Sequence, residues 1–250
     1  MQMTLVAYYG NKPAVIEDLI RPFQEALLAQ LGYAYEPYSI EQVHATIIGL
    51  EAVRDGSEVI NINFRELREE RRPMNLVRVL EFLRATKLLP FNVQIGGFSP
   101  AMAYPFTSRA DHPYFRSFSL QGPTAVAMGW PIRGQSYPRQ LDALRKCFND
   151  CNVLHKYHRS SGDIDNDFFF VLGRVERSLL TECQIQETQD ALREILSNRE
   201  AVSVPVRRED LSLALYEDPL LSPKTTRSIL LDDAEAELSK IIRSYPTAGT

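Results

Sequence analysis

Apolar positions along the chain follow two alternating periods, and each change of period marks a new element. Leu5 to Tyr9 is a short apolar run closed by Gly10-Asn11, which predicts a first strand. Val15, Ile16, Leu19, Ile20, Phe23, Leu27, Leu28 and Leu31 then recur at three-and-four spacing, with Pro13 in the first turn and Gly32 at the end. That is the pattern of an amphipathic helix, with Pro22 a candidate kink. A strand around His44 follows. A second helix carries Leu76, Val79, Leu80 and Leu83 on one face and stops at Pro90, and Phe91 to Ile95 reads as a strand ending in a Gly96-Gly97 bend. Ser117 to Trp130 holds two strand-like pieces broken at Gly122-Pro123. Pro138 opens a helix with Leu141, Leu144, Phe148 and Cys151 on its apolar side. Phe168 to Val175 is a dense apolar strand and Glu187 to Asn198 an amphipathic helix. Val202 to Val206, Leu211 to Tyr216 and Arg227 to Leu231 read as late strands.

The strand-helix-strand-helix-strand-strand series recurs coarsely in the second half without a literal repeat. This predicts an α+β fold, bilobal, with two pseudo-equivalent antiparallel sheets and helices on the outside. Residues 1 to 231 form one bilobal unit in this reading, and residues 232 to 250 a short helix with a frayed tail.

One strand carries chemistry. In Gln42-Val-His44-Ala-Thr46-Ile47, side chains two apart point the same way, so His44 and Thr46 stand together on one face. An imidazole can donate or accept a proton near neutral pH, and a threonine hydroxyl can donate to a phosphate oxygen. The plainer reading is a half-buried strand that happens to hold a histidine.

Composition narrows the partners. With 250 residues, 44% hydrophobic, 24% charged and a formal charge of -4, the chain has the profile of an ordinary soluble globular protein. It lacks the basic excess expected of a duplex nucleic-acid binder. A small nucleotide or a short RNA end stays open as a ligand. No apolar run approaches membrane-spanning length, and the N-terminal segment lacks the pattern of a signal peptide. Three cysteines suit a reducing compartment better than a disulfide framework, so a cytoplasmic monomer is expected.

The motif order resembles the 2H phosphoesterase family, which includes cyclic phosphodiesterases and the so-called 2',5' RNA ligases and carries two His-x-Thr/Ser-x motifs. The resemblance covers residues 1 to 231. It implies that each lobe supplies one motif to a central cleft, one histidine acting as base and the other as acid on a cyclic phosphate or 2',5' linkage, without a cofactor or metal. His44-Ala-Thr46-Ile47 matches the first motif, Phe91 to Phe98 resembles the strand after it, and Thr124 to Trp130 its hairpin partner. The second motif departs from the pattern. Laying Leu172-Gly-Arg-Val175 on the family's segment puts Phe169 at the histidine position and Val171 at the hydroxyl position. Neither side chain transfers a proton or binds phosphate. Asp210-Leu-Ser212-Leu is a weaker look-alike, and Leu211 to Leu231 resembles the family's final strand pair instead.

A two-histidine mechanism then needs a substitute, and the chain has four histidines: His44, His112, His155 and His158. His155 and His158 lie shortly before the altered motif and are the candidate second proton carriers; a solvated polar loop is the alternative. Cys147, Cys151 and His155 recur every four residues, as zinc ligands on one helix face would, but the cysteines equally fit core positions. Asp163, Asp165 and Asp167 alternate as at the start of a calcium loop, without the glycine and glutamate such a loop needs. The loop holding Tyr104, Phe106, Arg109, His112, Tyr114, Phe115 and Arg116 can stack a base and contact phosphate, with Arg109, His112 and Tyr114 as candidate binding residues, or pack onto the sheet. Arg65 to Arg72 reads as a solvated helix face. Two functions follow: a cyclic phosphodiesterase-like hydrolase using His44, Thr46 and His155 or His158, or an inactive cleft that binds a phosphorylated ligand or protein.

Overall fold

The strands of the main sheet fall in an order that mirrors itself about its centre. In the computed structural model, which describes residues 1–248, the elements are β1 (Gln2–Ala7), α1 (Ala14–Leu31), β2 (Tyr35–Pro37), β3 (Ala45–Gly49), β4 (Ala52–Asp55), β5 (Glu58–Asn61), α2 (Ile62–Arg68), α3 (Leu76–Ala85), β6 (Phe91–Ile95), α4 (Pro113–Ser117), β7 (Phe118–Gln121), β8 (Thr124–Ile132), α5 (Gln140–Cys147), β9 (Phe168–Val175), α6 (Glu182–Asn198), β10 (Val202–Val206), β11 (Leu211–Tyr216), β12 (Thr226–Leu230) and α7 (Ala234–Ser244). The sheet runs β10-β6-β8-β9-β3-β1-β11-β12, with β7 beside β8 and β2 beside β9, every pair antiparallel. A separate hairpin joins β4 to β5. The fold is α+β. The two expected sheets meet edge to edge, Ala45 of β3 pairing with Phe170 of β9, so they are halves of one sheet.

About that seam, β1-α1-β3 on one side corresponds to β8-α5-β9 on the other. Each seam strand also carries a bulge at the same place. Val6 pairs with Thr46 but Leu5 with Ile48, which leaves Ile47 as the extra residue of β3. Val126 pairs with Val171 but Ala125 with Gly173, which leaves Leu172 as the extra residue of β9. A bulge strands a carbonyl, and a buried carbonyl needs a donor. The Ile47 carbonyl accepts from Nε of Arg145 at 2.7 Å, and that of Leu172 accepts from Gln24 Nε2 at 2.8 Å and the Tyr35 hydroxyl at 2.9 Å. Gln24 lies on α1 and Arg145 on α5, the equivalent helices of the two halves.

The back of the sheet holds the main core, where Phe23 and Leu27 of α1, Leu144 of α5, Leu192 of α6 and Val79 of α3 share one apolar cluster with the strands. Two smaller clusters sit on the front, one around Val6, Ala214, Tyr216 and Leu221, the other around Phe98, Val126, Met128 and Trp130. The seam runs between them. No helix among the described residues is long and apolar enough to cross a membrane.

Several boundaries differ from the sequence pattern. α1 runs unbroken through Pro22. α6 starts at Glu182 because Thr181 and Gln184 form a reciprocal capping box. The β4-β5 hairpin, turned at Gly56 with φ 62°, was missed. The expected frayed tail is docked: Tyr245 is buried and donates to the Leu50 carbonyl at 2.9 Å, and Arg54 pairs with the backbone of Pro246 and Ala248. The last two positions of that tail, 249 and 250, lie outside the described residues.

Arg145 is fully buried, and besides Ile47 it donates to the Thr46 carbonyl and to the backbone and carboxylate of Asp165. Removing it strands a buried carboxylate and four carbonyls, those of Thr46, Ile47, Asp165 and Asp167, a loss of about 3 to 5 kcal/mol for a broken buried pair. Arg145→Met is therefore expected to lower the urea unfolding free energy by that amount at unchanged m value. Wild-type stability in the variant would show that the clamp is dispensable.

Candidate functional site

Residues flanking the Ala45–Phe170 pair share a face, because side chains alternate along a strand. His44 and Thr46 on one strand, and Phe169 and Val171 on the other, all line a front cavity of about 440 Å³. Phe169 and Val171 thus lie directly across the seam from His44 and Thr46. Phe169 and Val171 also pack against the Phe98–Trp130 cluster, extending its apolar surface to the seam.

His44 sits just before β3 and is 7% exposed. Its Nδ1 lies 2.6 Å from the Gln42 carbonyl, which fixes that nitrogen as the N–H donor and leaves Nε2 with its lone pair bare. Burial pushes the imidazole down to about 4, the Gln42 hydrogen bond opposing and nearby Lys12 assisting. The ring is therefore neutral at pH 7, with Tyr9 packed beside it at 5.7 Å between centroids. A bare Nε2 accepts from a hydroxyl, whether of a ribose or of water. Thr46 keeps its hydroxyl free of partners among the described residues and so offers a donor on the same face.

The loop between α5 and β9 corrects several expectations. Expected as candidate proton carriers, His155 and His158 are both buried and committed. His155 Nε2 donates to Asp165 at 2.6 Å and His158 Nε2 to Asp142 at 2.9 Å, and each Nδ1 is buried without a partner. His155 borders the cavity but turns its donor inward; His158 does not line it. Burial, then Arg145, lowers the His155 ring to about 4, and burial lowers His158. Burial alone would lift the Asp165 carboxyl, but the Arg145 guanidinium and the His155 ring hold it well below the usual carboxylate range. These groups brace the seam from behind. α5 stops at Cys147 and a tighter turn covers Phe148–Cys151, so Cys147, Cys151 and His155 do not stack on one face. Asp163 caps Ser160, while Asp165 and Asp167 are taken up by arginines. No group of three or more His, Cys, Asp or Glu among the described residues is placed to hold a metal ion.

Glu51 was missed by the sequence reading. The Ile47 bulge shifts the alternation of β3, bringing Gly49, and Glu51 beyond it, onto the cavity face with His44 and Thr46. The Glu51 carboxylate folds back over Gly49, so close that a β-carbon there would overlap it at 2.0 Å, and it accepts from the Tyr216 hydroxyl at 2.7 Å. Burial raises its carboxyl, with Tyr216 opposing. Lys156 lines the same end.

Of the candidate binding residues, none reaches this cavity. Arg109 lines a second one, beside Asp165 and Asp167. His112 caps α4 and contacts the Met102 carbonyl at 2.8 Å, and Tyr114 follows it on the same short helix. Both stand apart from the seam because the loop packs over the second cluster.

No family model and no curated protein matches this chain. Among solved structures, the crystal structure of TT0787 of Thermus thermophilus is similar at 15% identity and a TM-score of 0.44, over 92% of this chain and 95% of that one.

Proton linkage gives a test of the His44 environment. Above about pH 6.5 the ring is neutral in both folded and unfolded chains; as pH falls from 6.5 towards 4, only the unfolded chain takes up the proton. Stability is therefore full above 6.5 and lost through that window, by roughly 3 kcal/mol per such histidine. His44→Asn is expected to flatten part of the fall in urea midpoint between pH 6.5 and 4. An unchanged slope would mean that His44 titrates normally.

Proposed function

We propose that the front cavity binds a phosphate ester of the kind handled by 2H phosphoesterases, a cyclic or 2',5'-linked nucleotide or short RNA end, without cutting it. The observation that carries this reading is the face shared by His44, Thr46, Phe169 and Val171: one histidine–hydroxyl pair opposite an apolar pair. A hydroxyl of the ligand donates to Nε2 of His44, and Thr46 donates to a phosphate oxygen. Phe169 and Val171 offer a flat apolar wall to a sugar or base. Each positioned proton carrier is worth about a hundred- to ten-thousand-fold in rate, and the seam holds one. The committed nitrogens of His155 and His158 argue against either serving as the other.

A hydrolase reading keeps one supporting observation. A neutral imidazole with a bare Nε2 is a competent base, so slow cleavage with water as the acid follows if the leaving oxygen needs little help.

Calorimetry with 2',3'-cyclic nucleotides and 2',5'-linked dinucleotides separates these readings. Binding without product is expected, weakened ten-fold or more in His44→Ala and Thr46→Ala. The double variant Phe169→His/Val171→Thr, which rebuilds the second motif, is expected to raise hydrolysis at least about a hundred-fold. Wild-type turnover abolished by His44→Ala would replace the binding reading with the hydrolytic one. Absence of binding to every phosphate ester tested would remove both.

A further inference from the structure

The second cavity, of about 610 Å³, lies between the aromatic loop and the strands of the second half. It is separated from the seam by the Asp165–His155 contact, Asp165 lining one cavity and His155 the other. Its wall is aromatic. Phe106 stands 4.7 Å from Tyr137 and 5.4 Å from Trp130 between ring centroids, and Phe106 and Tyr137 keep part of their surface uncovered. A half-covered cluster of rings beside a cavity of this size is a surface on which another flat ring can stack.

Charge decides what that ring carries. The carboxylates at the floor are largely answered: Asp165 through Oδ2 by Arg145 and His155, its Oδ1 being buried without a hydrogen bond, and Asp167 by the Trp130 indole N–H at 2.8 Å, the Ser108 hydroxyl at 2.7 Å and Arg116. Arg109 lies 3.7 Å from Asp167 and 4.0 Å from Asp165, while its guanidinium covers Tyr157 at 4.1 Å. Arg139 stands exposed at the rim without an ion-pair partner among the described residues. Two arginines, Arg109 and Arg139, line this cavity with Asp165 and Asp167; Arg145 and Arg116 serve those carboxylates from outside it, which leaves Arg139 at the mouth without a carboxylate among the described residues. A stacking surface inside and uncompensated arginine outside fit a heteroaromatic ring bearing an anionic group.

We infer that this cavity is a nucleotide site distinct from the seam, with the base against Phe106 and Tyr137 and the phosphate at Arg139 and Arg109. The inference rests on no part of the reading of His44.

Trp130 is the chain's one tryptophan, so its fluorescence reports on this cavity directly. Titration of the full chain with adenosine and guanosine 5'-monophosphate is expected to change that signal saturably. Arg139→Glu, at an exposed position, and Phe106→Ala, with its fold checked by circular dichroism, are each expected to weaken binding ten-fold or more. Lys240→Ala, at an exposed position of α7 that lines neither cavity, is expected to leave it unchanged. Any one of three results overturns the inference: no saturable change in the wild type, equal binding in both cavity variants, or loss in Lys240→Ala. An equal response to inorganic phosphate alone would also overturn it, since the rings would then play no part.

Discussion

Everything at the seam depends on how a buried arginine meets a bulge. The extra residue at Ile47 shifts the alternation of β3 and leaves its carbonyl outside the regular ladder. Arg145 reaches in from α5, satisfies that carbonyl and its neighbour, and spends its charge on Asp165. Asp165 in turn fixes His155. One side chain therefore sets the shape of the first motif strand, the path of the loop into the second, and the charge state of the groups behind the cleft. An arginine is suited to this because its fork of donors serves four carbonyls and a carboxylate at once. In the other half the same duty at Leu172 falls to neutral donors, Gln24 and Tyr35.

The mirror relation between the halves makes the chemical difference at the seam sharper. The backbone repeats, down to the bulge that follows each motif, while the side chains diverge. On the β3 side a neutral imidazole and a free hydroxyl face the cavity; on the β9 side an aromatic ring and an isopropyl group join the cluster around Trp130. The second strand carries apolar packing that continues into the aromatic loop. The result is a cleft able to recognise a polar group on one wall and a flat or apolar group on the other.

The sequence made the helix and strand order readable wherever periodicity was strong, including the strand from Phe168 to Val175. His44 and Thr46 were likewise legible, because a strand fixes which residues share a face. What escaped detection depends on contacts distant in sequence. No local pattern announces a bulge at Ile47, so Glu51 could not be placed on the cavity face. The carboxylates that capture His155 and His158 lie ten and sixteen residues away across a folded loop. Candidate proton carriers chosen by residue type and by place in the chain just before β9 thus fell on histidines held by carboxylates. The α6 capping box and the Gly56 turn were readable signals that went unused.

Nitrogen-15 NMR of the His44 imidazole, followed through pH and through addition of a 2',3'-cyclic nucleotide, tests most directly the proposal that the seam binds a phosphate ester through one wall. A neutral Nδ1–H tautomer that titrates near 4 is expected in the free protein, with the Nε2 resonance moving when the nucleotide is added. An Nε2–H tautomer titrating near 6.5, or an Nε2 signal indifferent to the nucleotide, would contradict it.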